Sequence, residues 1–184
     1  GDDPAHQRLG WGAALSVVAG IVEETSRYLY YRRTATLRDP EARPTALAVG
    51  LAHGTTEAWV LGLQFVVAPA VMLLAAPELL PPELSDPDTL TGYALIGGVS
   101  RLGIVVGHAA LALLVWRAVS RRAVGWYLLA VAVHIGVDLS AFVLPDLVPG
   151  TDWVAGVAIV ALAGFAAVEL RTAVRRTQEV PVSA

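Results

Sequence analysis

Residues 92–116 read GYALIGGVSRLGIVVGHAALALLVW, 25 residues whose only charge is Arg101 and whose only imidazole is His108. At 1.5 Å rise per residue, a helix of that length crosses the roughly 30 Å hydrocarbon layer of a bilayer. A charge at bilayer depth costs about 2.5–3.5 kcal/mol to insert, so Arg101 is expected to face protein rather than lipid. The rest of the chain repeats the pattern. Apolar runs at residues 11–31, 46–76, 123–144 and 153–170 enclose Glu23, Glu24, Arg27, His53, Glu57, His134 and Asp138. The run at 46–76 is too long for one straight span, and Pro69 is expected to kink or end it. The fold class that follows is all-α: a polytopic transmembrane helical bundle of about five spans. Residues 1–176 form one integral-membrane domain, and 177–184 form a disordered cytoplasmic tail.

Composition agrees. Hydrophobic residues make up 55% of the chain and charged residues 16%, which is unusual for a soluble domain of this length. The net charge of -3 gives no reason to expect a nucleic-acid partner, and with no cysteine there is no disulfide framework. A start at Gly1, without methionine, leaves room for further spans upstream.

Charge also sets orientation. Arg32, Arg33, Arg38 and Arg43 follow the first run, Arg117, Arg121 and Arg122 the third, and Arg171, Arg175 and Arg176 the fifth. The alternate connections carry Glu78, Glu83, Asp86 and Asp88, then Asp146 and Asp152. The positive-inside rule puts the arginine ends, and with them the C-terminus, in the cytoplasm.

The buried polar residues share a depth. Glu23 and Glu24 lie eight and seven residues from Tyr31, His53 seven from Ala46, His108 eight from Trp116 and His134 eleven from Ala123. These positions fall about 10–17 Å below the cytoplasmic edge. Four helices thus bring Glu or His to one slab. Helical spacing adds that His53 with Glu57, His134 with Asp138, and Glu23 with Arg27 are each four apart and share a face. Arg101 and Asp138 are both fifteen residues from their cytoplasmic ends and are expected to pair across helices. Taken singly, each feature has a structural reading: a local Glu–Arg ion pair, a packing histidine, an interhelical clamp. Gly50, Gly54 and Gly62, and Gly97, Gly98, Gly103 and Gly107, read as close-packing positions. What the structural readings leave unexplained is three histidines and two adjacent glutamates at one depth.

Such groups support two chemistries. Imidazoles and carboxylates can hold a tetrahedral metal such as zinc with a position open for water, and a glutamate can act as base. Without metal, a buried glutamate can still activate water while histidines hold an oxyanion. Both routes end in hydrolysis, most simply of a peptide bond, and spacing does not separate them.

The ordered set Glu23-Glu24-Thr25-Ser26-Arg27-Tyr28, Gly50-Leu51-Ala52-His53-Gly54-Thr55-Thr56-Glu57, His108-Ala109 and His134-Ile135-Gly136-Val137-Asp138 resembles the YhfC family of intramembrane metalloproteases. That family is similar to a superfamily containing the CAAX prenyl proteases and bacteriocin-processing enzymes. The resemblance implies that Glu23, Glu24 and Arg27 are catalytic, with Glu23 activating water. It implies that His53, Glu57, His108, His134 and Asp138 bind metal, water or an oxyanion. It also implies zinc as the candidate metal, a peptide or membrane-protein substrate, and a bacterial cytoplasmic membrane. Arg27 stands three residues after Glu24, one fewer than in the prenyl proteases, which leaves its partner open. Two other functions fit the residues alone: a proton- or cation-coupled transporter or channel, and a catalytically silent binding or immunity protein of the same fold.

Overall fold

The computed structural model describes residues 4–75, 87–151 and 153–178. Among them every regular element is helical: α1 (Pro4–Arg33), a 3₁₀ turn (Thr36–Arg38), α2 (Arg43–Ala75), α3 (Pro87–Ser120), α4 (Gly125–Phe142), the short α5 (Leu144–Leu147) and α6 (Trp153–Gln178). The expected tail therefore starts no earlier than the end of α6, and residues 179–184 lie outside the described residues. So do most of the acidic outer-loop positions.

Gly97–Ser120, Gly125–Phe142 and Trp153–Thr172 are long and apolar enough to cross a membrane. The 30 residues of α1 and 33 of α2 reach about 45 and 50 Å, longer than a span requires. Polar side chains interrupt both, and Glu23, Glu24, Arg27, His53 and Glu57 among them meet inside the bundle. α2 continues through Pro69 to Ala75, so the proline does not end that helix.

α3 is the hub. α1, α2, α4 and α6 all pack on it, and from His108 to Trp116 every residue is buried. A helix buried on all faces must be apolar on all faces, and Ala109 to Trp116 contains no charge. The outward faces of the other helices carry exposed Val160, Leu128 and Val18, as contact with lipid demands.

Two glycines allow α2 to lie on α3. A Cβ on Gly50 would fall 2.6 Å from Ala112 Cβ and 2.7 Å from the His108 carbonyl oxygen, and one on Gly54 would fall 2.7 Å from Val105 Cα. With small residues at the crossing, two backbones approach closely enough for dispersion and interhelical hydrogen bonds to hold them in lipid. Gly103 likewise seats Ile159 of α6. Gly62, Gly97, Gly98 and Gly107 have no described atom within 4 Å of where a Cβ would stand, so no packing partner for them is found among the described residues. Gly20, whose Cβ would strike Ile135 of α4 at 2.5 Å, has that role instead.

The arginine-bearing ends converge. Arg43 Nε lies 3.3 Å from Glu169 Oε2, and Arg117 grips the other oxygen of the same carboxylate. Arg43 also donates to Thr172 Oγ1 at 2.6 Å, and the Arg117 guanidinium lies 4.9 Å from the Trp126 ring centre and 5.1 Å from that of Phe165. Glu169 is thereby buried with two cations, and α2, α3 and α6 are tied at one end. α3 terminates there with Ala123 N–H donating to Ala118 O and Arg122 N–H to Val119 O. That is the paired closure of a Schellman turn, with Arg122 at φ 53° in the position glycine usually fills.

Candidate active site

Glu23 and Glu24 are consecutive on α1, so their side chains leave the helix about 100° apart. That angle divides them between two neighbours. Glu24 is fully buried against α4, where its Oε1 accepts from His134 Nδ1 at 2.9 Å. One turn on, Arg27 Nη1 donates to both oxygens of Glu24. Glu23, with 28% of its side chain exposed, turns toward α2, and its Oε2 lies 3.3 Å from His53 Nε2 and 4.0 Å from His108 Nε2.

His53 and His108 meet because Gly50 and Gly54 bring α2 onto α3. Their rings stack with centroids 4.5 Å apart and 15° between planes, and the His134 ring stands edge-on to His108 at 5.4 Å. Glu57, one turn past His53, reaches His108 Nε2 with Oε2 at 2.5 Å. Asp138, one turn past His134, has Oδ2 3.7 Å from His134 Nε2. All the expected site residues thus occupy one cluster. The expected Arg101–Asp138 pair is not the contact Asp138 makes. Arg101 instead lines a separate cavity between α2 and α3 with Trp59 and Leu102. Equal depth placed the two residues at one level without fixing which side of α3 each would occupy.

Arg27 does more than neutralise Glu24. Its Nη2 lies 3.3 Å from His53 Nδ1 and 3.0 Å from His108 Nδ1. A guanidinium only donates, so both Nδ1 atoms must accept. Each neutral ring then carries its proton on Nε2, the edge that faces Glu23 and Glu57. One arginine therefore sets the tautomer of two histidines, a function that sequence spacing alone does not reveal.

Glu23, His53, Glu57 and His108 each offer a ligand atom within 4.8 Å of the others. Glu23 Oε2 and Glu57 Oε2 are buried beside the imidazole edges without the geometry of a hydrogen bond. Two carboxylate oxygens facing two imidazole edges fit a cation once the Nε2 protons are displaced: nitrogen and oxygen donors at that spacing suit zinc and other first-row metals.

A model of the YhfC intramembrane metalloprotease family matches residues 11–161. The chain belongs to that family. No curated protein and no solved structure is similar to the chain at a significant level. The match covers every helix that contributes to the cluster, and with the apolar helices it makes the chain an integral membrane protein in a lipid environment. The family description implies a metal, and the Glu/His group is where this chain can hold one. It also implies a peptide as substrate; nothing in the match supports a transporter.

Proposed function

We propose that the cluster hydrolyses a peptide bond within the membrane, with Glu23 as general base. His53, Glu57 and His108 would hold the metal, leaving Glu23 on the free side, 3.3 and 4.0 Å from the two Nε2 atoms. A bound divalent cation such as zinc lowers the pKa of coordinated water toward 7 and polarises a carbonyl. Glu23 takes the water proton and returns it to the leaving amine, a transfer of the kind worth about 10²–10⁴-fold in rate. Glu24, Arg27 and His134 position the site: Glu24 anchors the guanidinium beside both imidazoles, and His134 with Asp138 backs the ring of His108. A histidine that ligates through Nε2 keeps its proton on Nδ1, so with a metal held there Arg27 Nη2 would no longer donate to the two rings, while Nη1 could keep its contact with Glu24. The observation that carries this reading is the set of ligand atoms on Glu23, His53, Glu57 and His108, all within 4.8 Å of one another.

The orientation proposed with it puts the Arg43–Glu169–Arg117 end, and the C-terminus, on the cytoplasmic side of a bacterial plasma membrane, because arginines gather at that end.

The test compares Glu23→Gln and His108→Gln in detergent-purified full chain, with metal content and cleavage of a membrane-embedded reporter peptide measured together. Glu23→Gln should keep its metal and lose cleavage by about two orders of magnitude or more; His108→Gln should lose both. Undiminished cleavage by Glu23→Gln would remove the mechanism.

A further inference from the structure

Two cavities flank the cluster, and they differ in what they can admit. On the side of α3, α4 and α6, a space of about 70 Å³ touches Glu57, His108, His134 and Asp138. A water needs roughly 10–15 Å³ of such space, so it suits a few waters and falls well below the size of a ligand pocket. On the other side, a cleft of about 410 Å³ opens between α1 and α2, within the range of ligand pockets. Glu23, Arg27 and His53 of the cluster line it, together with Val22, Ser26 and Tyr30 of α1 and Val49 of α2. The cleft exists because, among the described residues, α1 and α2 scarcely touch: α1 lies on α4 and α3, while α2 lies on α3. Val18, Ile21 and Val22, near its α1 wall, are exposed apolar residues, so among the described residues the cleft opens laterally on an apolar face.

From this we propose that the α1–α2 cleft is the entry through which an unwound segment of a membrane-embedded polypeptide reaches Glu23. The proposal rests on the peptidase reading above and adds the route and the form of the substrate. A scissile bond inside an intact helix is shielded by neighbouring turns, so it must be extended to be attacked. Extended backbone within a bilayer leaves N–H and C=O groups that each need a partner. The cleft brings Ser26 and Tyr30 hydroxyls beside the site for them, and Val22 and Val49 as apolar walls for the flanking side chains. Ser26, Tyr30 and Val49 are then the specificity-determining residues.

The chain has no cysteine, so single thiols can be introduced cleanly. Ser26→Cys, Val49→Cys and, as an outward control on α6, Val160→Cys (71% exposed at Val160) are reconstituted as full chain in phosphatidylcholine vesicles with a single-span reporter peptide. Each variant is compared with itself before and after reaction with a bulky maleimide. Labelling of the Ser26→Cys or Val49→Cys protein should lower cleavage at least ten-fold with metal content and melting temperature unchanged. Labelling of the Val160→Cys protein should leave cleavage within two-fold. A photoreactive benzoylphenylalanine in place of Tyr30 should cross-link to the reporter. Equal cleavage with and without the cleft adducts, or cross-linking to phospholipid alone, would overturn the proposal. If unlabelled protein cuts no reporter, the peptidase reading fails, and the cross-link still decides whether a polypeptide occupies the cleft.

Discussion

Glu24 Oε1 lies 2.9 Å from His134 Nδ1, and through that contact a fully buried carboxylate of α1 is joined to α4. The adjacent Glu23 makes no comparable commitment; it stays partly exposed and faces the two imidazole edges. Two neighbouring residues of one type thus face different partners because the helix turns about 100° between them.

Glu24→Ala should destabilise by about 3–5 kcal/mol, since Arg27 would be left as a buried, uncompensated charge. Thermal unfolding of the purified protein measures this. Glu23→Ala should shift the melting temperature far less, and equal shifts would contradict the division of roles.

Arg27→Lys should not preserve the site. Lysine has no fork to span both Glu24 oxygens and the two Nδ1 atoms, so both rings lose the donor that fixes their tautomer. Nitrogen-15 spectra of the histidines in metal-free protein should show Nε2–H on His53 and His108 with Arg27 present, and a mixture with lysine.

Gly54→Leu should part α2 from α3, because even its Cβ would fall 2.7 Å from Val105 Cα. Overpacking of this kind costs about 1–3 kcal/mol, and separating His53 from His108 should also lower metal content. Gly62→Leu, at a glycine with no described atom near its missing Cβ, should change neither.

Glu169→Gln should leave metal content unchanged yet lower stability by on the order of 3 kcal/mol, because Arg43 and Arg117 lose their shared carboxylate. Arg122→Gly should act in the opposite direction. Relieving a non-glycine residue at positive φ should add about 1 kcal/mol, read as a raised melting temperature.

Much of this molecule is legible in its sequence because membrane insertion penalises charge so heavily. Glu23, His53, His108 and His134 stand out against apolar runs, and counting from the span ends places them at one level. What counting cannot supply is the azimuth of one helix relative to another. Arg101 and Asp138 share a depth but line different cavities. Glycine shows the same limit: Gly50 and Gly54 seat a neighbour whereas Gly97 and Gly98 have none among the described residues, and all four look alike in sequence. Glu169 reads as an ordinary polar residue near a span end until Arg43 and Arg117, from distant parts of the chain, are seen on either side.

The glycine seats have a mechanical consequence. Gly50 and Gly54 lock α2 to α3, and Gly20 locks α1 to α4, so the bundle comprises two coupled halves. His53, Glu57 and His108 belong to one half; Glu23, Glu24, Arg27, His134 and Asp138 belong to the other. Sliding one half past the other would leave the spacing of His53, Glu57 and His108 intact while changing how far Glu23 stands from them. A displacement that widened the gap between α1 and α2 would therefore also draw Glu23 away from His53, so under the proposed roles admission and reaction would be geometrically opposed.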